Sequence, residues 1–108
     1  MHIMLASTPN PPYYAVIFSS LMTDNLEGYV ETAQRMEELA KEQPGYLGIE
    51  SARSDIGITV SYWESLDAIV QWKHNLEHTE VRNMGRSIWY KKYQVRICKV
   101  EREYGFEN

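Results

Sequence analysis

Apolar and polar positions divide the chain into stretches of two different periods. From Tyr13 to Ser20 the run YYAVIFSS is short, apolar and β-favouring, which suits a buried strand better than a helix of useful length. Farther on, Leu26, Tyr29, Val30, Ala33, Met36, Leu39 and Ala40 recur three and four apart, opposite Glu31, Arg35, Glu38 and Glu42. That stripe predicts an amphipathic helix. Asp24, with Glu27 three residues later, has the spacing of a capping box. Pro44-Gly45 closes the helix, because proline lacks the backbone donor and glycine favours a turn.

Tyr46 to Arg53 and Gly57 to Trp63 are two β-like runs separated by Ser54-Asp55-Ile56, a spacing that predicts an antiparallel hairpin. Within the second run Ile58, Val60 and Tyr62 alternate with Thr59 and Ser61. Ser65 supplies an N-cap for a second helix marked by Leu66, Ile69, Val70, Trp72, Lys73 and Leu76. A broken continuation to Met84 is expected, with Gly85 as the stop.

The last run, about Trp89 to Tyr104, is rich in Tyr, Val and Ile, but its alternation changes phase. Tyr93, Val95 and Ile97 are odd-numbered, whereas Cys98, Val100 and Tyr104 are even-numbered. A bulge or a change of environment along the strand is expected there. The run is also longer than the usual 5 or 6 residues of a strand, so its far end is expected to pair with another subunit.

The order β-α-β-β-α-β predicts an α+β, ferredoxin-like domain over residues 13–108, with both helices on one face of an antiparallel sheet. Its strands carry apolar side chains toward both faces. A second copy of the same sheet is the simplest cover for the other face, which predicts a homodimer closed into a dimeric α+β barrel. Residues 1–12 carry prolines at 9, 11 and 12. They are expected to form an extended arm outside the core, free or laid on a partner subunit.

Composition narrows the function. A chain of 108 residues is the size of one domain, and a net charge of −4 without a basic cluster beyond Lys91-Lys92 argues against nucleic acid. No apolar run approaches a bilayer span and the first residues lack a signal pattern, so no membrane partner is expected and the location reads as cytoplasmic. Cys98 is the single cysteine, expected as a small buried hydrophobe. No serine-nucleophile motif, phosphate-binding glycine loop or zinc pattern occurs.

Three stretches carry a resemblance. The Pro44-Gly45-Tyr46-Leu47-Gly48 turn, the segment YWESLDAIVQWKHNLEH with Trp63, Ser65 and Trp72, and the run GRSIWYKKYQVRICKVEREY are similar to the antibiotic biosynthesis monooxygenase superfamily. The last run resembles a subgroup that is mostly uncharacterised. This resemblance implies a dimer with a cavity in each subunit between sheet and helices. It also implies, in some members, an oxygenase that needs no metal, flavin or other cofactor because the substrate itself activates O2. Haem-degrading members use an Asn on the first strand, a pocket Trp and a His ten residues beyond it. Here Trp72 matches the Trp, but Arg82 stands at the His position and the first strand has no Asn.

His74 and His78 are four apart, on one face of a continuous helix, and the same step reaches Arg82 and then Arg86. His74, His78 and Arg82 are therefore the candidate catalytic residues: a proton acceptor, with Arg82 as charge partner for a developing enolate. Lacking a carboxylate or cysteine in a recognisable motif, the pair does not read as a metal site. The alternative is a solvated stripe paired with Glu77 and Glu80. Tyr62, Trp72, Trp89 and Tyr93 are the candidate substrate-binding side chains, with Trp63 and Tyr90 in the same aromatic set; core or dimer interface is the alternative for each. Two classes of function follow. One is a cofactor-independent monooxygenase acting on a small aromatic or quinone-like molecule. The other is a non-enzymatic dimeric small-molecule-binding or stress-associated module.

Overall fold

The computed structural model describes residues 4–78 and 88–108. Its elements are β1 (Tyr13–Met22), α1 (Tyr29–Lys41), β2 (Tyr46–Arg53), β3 (Gly57–Trp63), α2 (Leu66–His78) and β4 (Tyr90–Val100). The strands form one antiparallel sheet in the order β2-β3-β1-β4. This is the ferredoxin-like α+β arrangement that the element order predicted.

Residues paired across antiparallel strands share a face, so the register sorts the side chains. Tyr14 lies opposite Trp63, Val16 opposite Ile97, and Phe18 opposite Val95. This face meets the helices: Trp63 is fully buried with Ala40 of α1 and Ile69 of α2, and Tyr14, Val16, Tyr46 and Trp72 pack around them. The other face carries Ala15 opposite Tyr62 and Cys98, and Ile17 opposite Val60 and Arg96. Contrary to expectation, Cys98 is exposed, because that face has no helix over it.

α1 begins later than its apolar stripe. Gly28 holds the N-cap in the left-handed region at φ 76°, with no side-chain cap. Asp24 and Glu27 therefore form no capping box. The preceding residues are held instead by a turn in which Asn25 Oδ1 accepts the Glu27 N–H at 3.3 Å, and by Thr23, whose hydroxyl donates to the Ile88 carbonyl at 2.7 Å. Leu26 and Val30 are exposed as a consequence, while Ala40 is buried. In α2 the Ser65 cap is present, with Oγ accepting the Ala68 N–H at 3.1 Å. Ile69 faces the core, whereas Leu66 and Val70 are exposed. The expected continuation to Met84 and the stop at Gly85 lie outside the described residues.

β4 shows which reading of its phase change holds. Its register with β1 runs unbroken from Tyr93 to Val100, so no bulge accompanies the change of phase at Ile97-Cys98. The phase changes because odd positions face the helices, even positions face the opposite side, and both sides take apolar residues. The irregularity falls between Leu21 and Met22, whose partners are Lys92 and Tyr90. Along one edge β4 is paired with β1 from Tyr90 to Val100, and as the outermost strand of the sheet it keeps its other edge unpaired among the described strands. Residues 101–108 continue past the sheet with Tyr104 96% and Phe106 90% exposed.

The N-terminal arm lies on its own chain. The Ala6 N–H donates to Glu50 Oε2 at 3.0 Å, and Ala6 Cβ sits only 2.8 Å from where a Cβ on Gly48 would stand. Thr8 and Tyr13 both donate to Glu103 Oε2, at 3.0 and 2.5 Å. Tyr13 and Ala15 are buried. Among the described residues no helix is long and apolar enough to cross a membrane.

Candidate functional site

α1 packs on β2 and α2 on β3. The same sheet face continues beyond them over β1 and β4, where exposed side chains form a strip, or trough. Its floor is apolar, formed by Phe18 and its cross-strand neighbour Val95, with Ile97 alongside. Val95 and Ile97 are 42% and 53% exposed although they face the helix side. Exposed β-branched side chains beside an aromatic ring make a surface that gains free energy when an apolar ligand covers it.

Tyrosine rings close one end of the trough. Tyr93 stacks on Phe18 with centroids 5.3 Å apart, and Tyr90 meets Phe18 edge-on at 5.4 Å. Tyr29, in the first turn of α1, meets Tyr90 at 6.2 Å and Trp89 at 5.6 Å, both edge-on. Trp89 is buried and fixes this assembly: its Nε1 donates to the Glu27 carbonyl at 2.8 Å, and its own carbonyl accepts the Thr23 N–H at 2.7 Å. The link from β1 to α1 is thereby tied to the start of β4, which sets Tyr29 over Tyr90.

Among the described residues Arg53 brings a positive charge to this end. Arg53, the last residue of β2, folds across Gly57 and donates to Oγ of the buried Ser20. A Cβ at Gly57 would collide with the guanidinium, so glycine is what gives Arg53 its path. Burial, followed by the neighbouring Tyr29, pushes the Tyr90 hydroxyl above the ordinary tyrosine range, and the Arg53 charge opposes them. Tyr90 is accordingly a neutral donor at physiological pH. Among the described residues Arg53 enters no ion pair.

The described candidate residues are distributed over four places. Trp89 and Tyr93 belong to the trough end. Trp72 lies in the core, half-buried, stacked on Trp63 at 6.0 Å, with Tyr46 edge-on to Trp63 at 5.7 Å. Tyr62 is on the opposite sheet face, where its hydroxyl donates to Glu50 Oε1 at 2.6 Å and its ring meets Tyr13 at 5.9 Å. Burial, then this bond, raise its hydroxyl well above the usual range. His74 is exposed and borders a shallow open hollow of about 480 Å³ with Gln43, Gln71 and Asn75. His78 ends α2; its side chain, Arg82 and Arg86 lie outside the described residues. Among the described residues no cluster of three or more His, Cys, Asp or Glu could hold a metal ion.

Phe18, Tyr29, Ser20 and Arg53 were not singled out from the sequence. Part of the signal was available: Gly57 lies directly after the hairpin turn from Arg53, where a long side chain needs a neighbour without a Cβ. The juxtaposition of Phe18 with Tyr93 needed the β1–β4 register.

Comparison with known proteins fits this architecture. The family described as antibiotic biosynthesis monooxygenase matches residues 12–84. An uncharacterised protein of Bacillus subtilis (strain 168), YqjZ, is 55% identical over 105 residues, covering 95% of this chain and 92% of its own. Among solved structures, SnoaB, a cofactor-independent oxygenase from Streptomyces nogalater, superposes with a TM-score of 0.72 at 9% identity, over 86% of this chain and 97% of its own. A conserved protein from Methanosarcina mazei Go1 gives a TM-score of 0.70 at 10% identity, over 81% and 91%. At such identities the structural likeness establishes the fold.

Proposed function

This chain belongs to the antibiotic biosynthesis monooxygenase family, and on that footing we propose that it is a cofactor-independent oxygenase acting on a small aromatic or quinone-like molecule bound in the β1–β4 trough. The observation that carries the reading is the open apolar floor of Phe18, Val95 and Ile97, ended by hydroxyl-bearing rings. Such a surface accepts a flat ring and offers its oxygen substituents a few polar partners. The description of SnoaB as a cofactor-independent oxygenase on the same fold supports it. With an enolisable ring ketone the step needs only the substrate and O2: the ring methylene of the keto form is oxidised to a carbonyl, one oxygen atom stays on carbon, and the other leaves in water with the two hydrogens. His78 is the candidate proton acceptor.

The part of the opposite sheet face that carries Ile17, Val60 and the exposed Ile58 is proposed to be covered by a second copy of the chain. The projecting residues 101–108, with Tyr104 and Phe106 uncovered, supply apolar surface for the same contact.

The test is a titration of quinols, phenols and haem followed by Trp fluorescence, then oxygen uptake with the ligand that binds, in the parent chain and in Phe18→Ala and His78→Ala. Saturable ring binding that Phe18→Ala weakens, with oxygen consumption, supports the proposal. The second reading, a non-enzymatic binding module, draws on the outward exposure of His74. Saturable binding without oxygen consumption would establish it.

A further inference from the structure

We propose that Arg53 is the anion-binding residue of the trough and that the ligand is held there as its phenolate or enolate; the proposal rests on the trough being the ring-binding site. Two geometric observations and one electrostatic one converge on it. Arg53 reaches back from the end of β2 over Gly57, a position where any Cβ would bar it. Its guanidinium is anchored on the hydroxyl of Ser20, which is buried at the β1 position directly opposite both Gly57 and Tyr93. Its charge is felt at the hydroxyl of Tyr90, whose ring packs on Phe18.

A charged side chain is thereby directed along the sheet into the aromatic end of the trough. The titratable groups described around it are phenols: Tyr90, with Tyr29 and Tyr93 beside it. Among the described residues no carboxylate is paired with Arg53, so its charge is available to a ligand. A neutral ring would gain nothing from that cation, whereas an ionised ring oxygen gains a charge-assisted bond from a fork-shaped donor that Ser20 already orients. Tyr90, kept neutral and hydrogen-bonded to Tyr29, places no second negative charge beside that oxygen. The ionised ring is also the electron-rich form that reacts with O2, so this residue selects the reactive state of the substrate as well as its class. Phenols and enols that ionise near neutral pH are the class that fits.

The experiment uses 4-nitrophenol, whose ionised form is read directly by its visible absorbance, and nitrobenzene as its uncharged counterpart. Bound to the parent chain, nitrophenol is expected to ionise about one pH unit or more below its free value, as a cation within a few ångströms produces. Arg53→Gln should abolish that displacement and weaken nitrophenol binding about tenfold while leaving nitrobenzene binding unchanged. Arg53→Lys should keep part of the displacement. Gly57→Ala, which retains the charge but blocks its path, should lose most of it, with circular dichroism reporting that each variant is folded. Nitrophenol that binds without displaced ionisation, or a displacement that survives Arg53→Gln, would overturn the role of Arg53 and leave the ring site standing. If neither probe binds, the ring site itself falls, and this inference with it.

Discussion

The indole of Trp72 stacks on that of Trp63 with centroids 6.0 Å apart and planes 25° from parallel, so α2 is bolted to β3 through two tryptophans. Trp63 is fully buried and its Nε1 donates to Ser61 Oγ at 2.9 Å, which fixes the ring that Trp72 rests on. Trp72→Ala is expected to lower stability by about 3 kcal/mol, since a half-buried indole is lost and a cavity is left beside Trp63. Urea unfolding measures it. Ring binding in the trough should change by less than about twofold; a large loss of binding at unchanged stability would instead make Trp72 a wall of the site.

Alkaline pH should destabilise the fold. Burial raises the hydroxyls of Tyr13, Tyr46, Tyr62 and Tyr90 above the ordinary value of 10.0, helped at Tyr13 by Glu103 and at Tyr62 by Glu50. The folded state then holds protons that the unfolded state releases. Their stabilisation is complete below the unfolded value near 10.0 and is lost as pH rises through the higher folded values. Thermal unfolding across a pH series should show a flat midpoint to about pH 9 and a fall above it. Tyr62→Phe should cost about 1–2 kcal/mol at neutral pH through the lost bond to Glu50, yet show a shallower alkaline fall.

Two glycines with positive φ should respond differently to alanine. At Gly28, φ 76°, an added Cβ meets only Trp89 at 3.9 Å, so Gly28→Ala should cost about 1 kcal/mol for the backbone conformation alone. At Gly45, φ 86°, the Cβ would stand 2.6 Å from Ala68 Cβ. Gly45→Ala is expected to cost about 3 kcal/mol, because overpacking against α2 adds to the same backbone strain. Denaturation midpoints of the pair separate the two effects.

His74 is exposed on α2. His74→Ala should shift stability by no more than about 0.5 kcal/mol and leave oxygen uptake within about twofold of the parent chain. A loss of uptake greater than tenfold would return His74 to the catalytic set.

Cys98 reports on assembly. It is exposed on the bare sheet face, opposite Ala15. If a second copy covers that face, its labelling by a thiol reagent should slow as protein concentration rises, in step with dimer formation measured by sedimentation. Labelling that stays fast in a dimer would move the interface elsewhere.

By itself the sequence determined the six elements and their order, because periods of two and of three to four residues follow from the local geometry of strand and helix. The hairpin limits, the Ser65 cap and the Gly45 turn were legible for the same reason: each depends on a few neighbouring residues. Contacts between distant segments were not legible. Asp24 and Glu27 have capping spacing, but Thr23 is held by Ile88 and Trp89, and the helix starts at Gly28 instead. The phase change in β4 reads equally as a bulge or a change of environment until the register shows apolar residues serving both faces. Tertiary structure alone decided that Tyr62 and Tyr93, both read as ligand-binding aromatics, lie on opposite faces of the sheet, and that Phe18, Tyr29, Ser20 and Arg53 converge on one end of a trough. Strand alternation assigns residues to two faces; which face receives the helices, and how far they cover it, is settled by the packing of the whole chain.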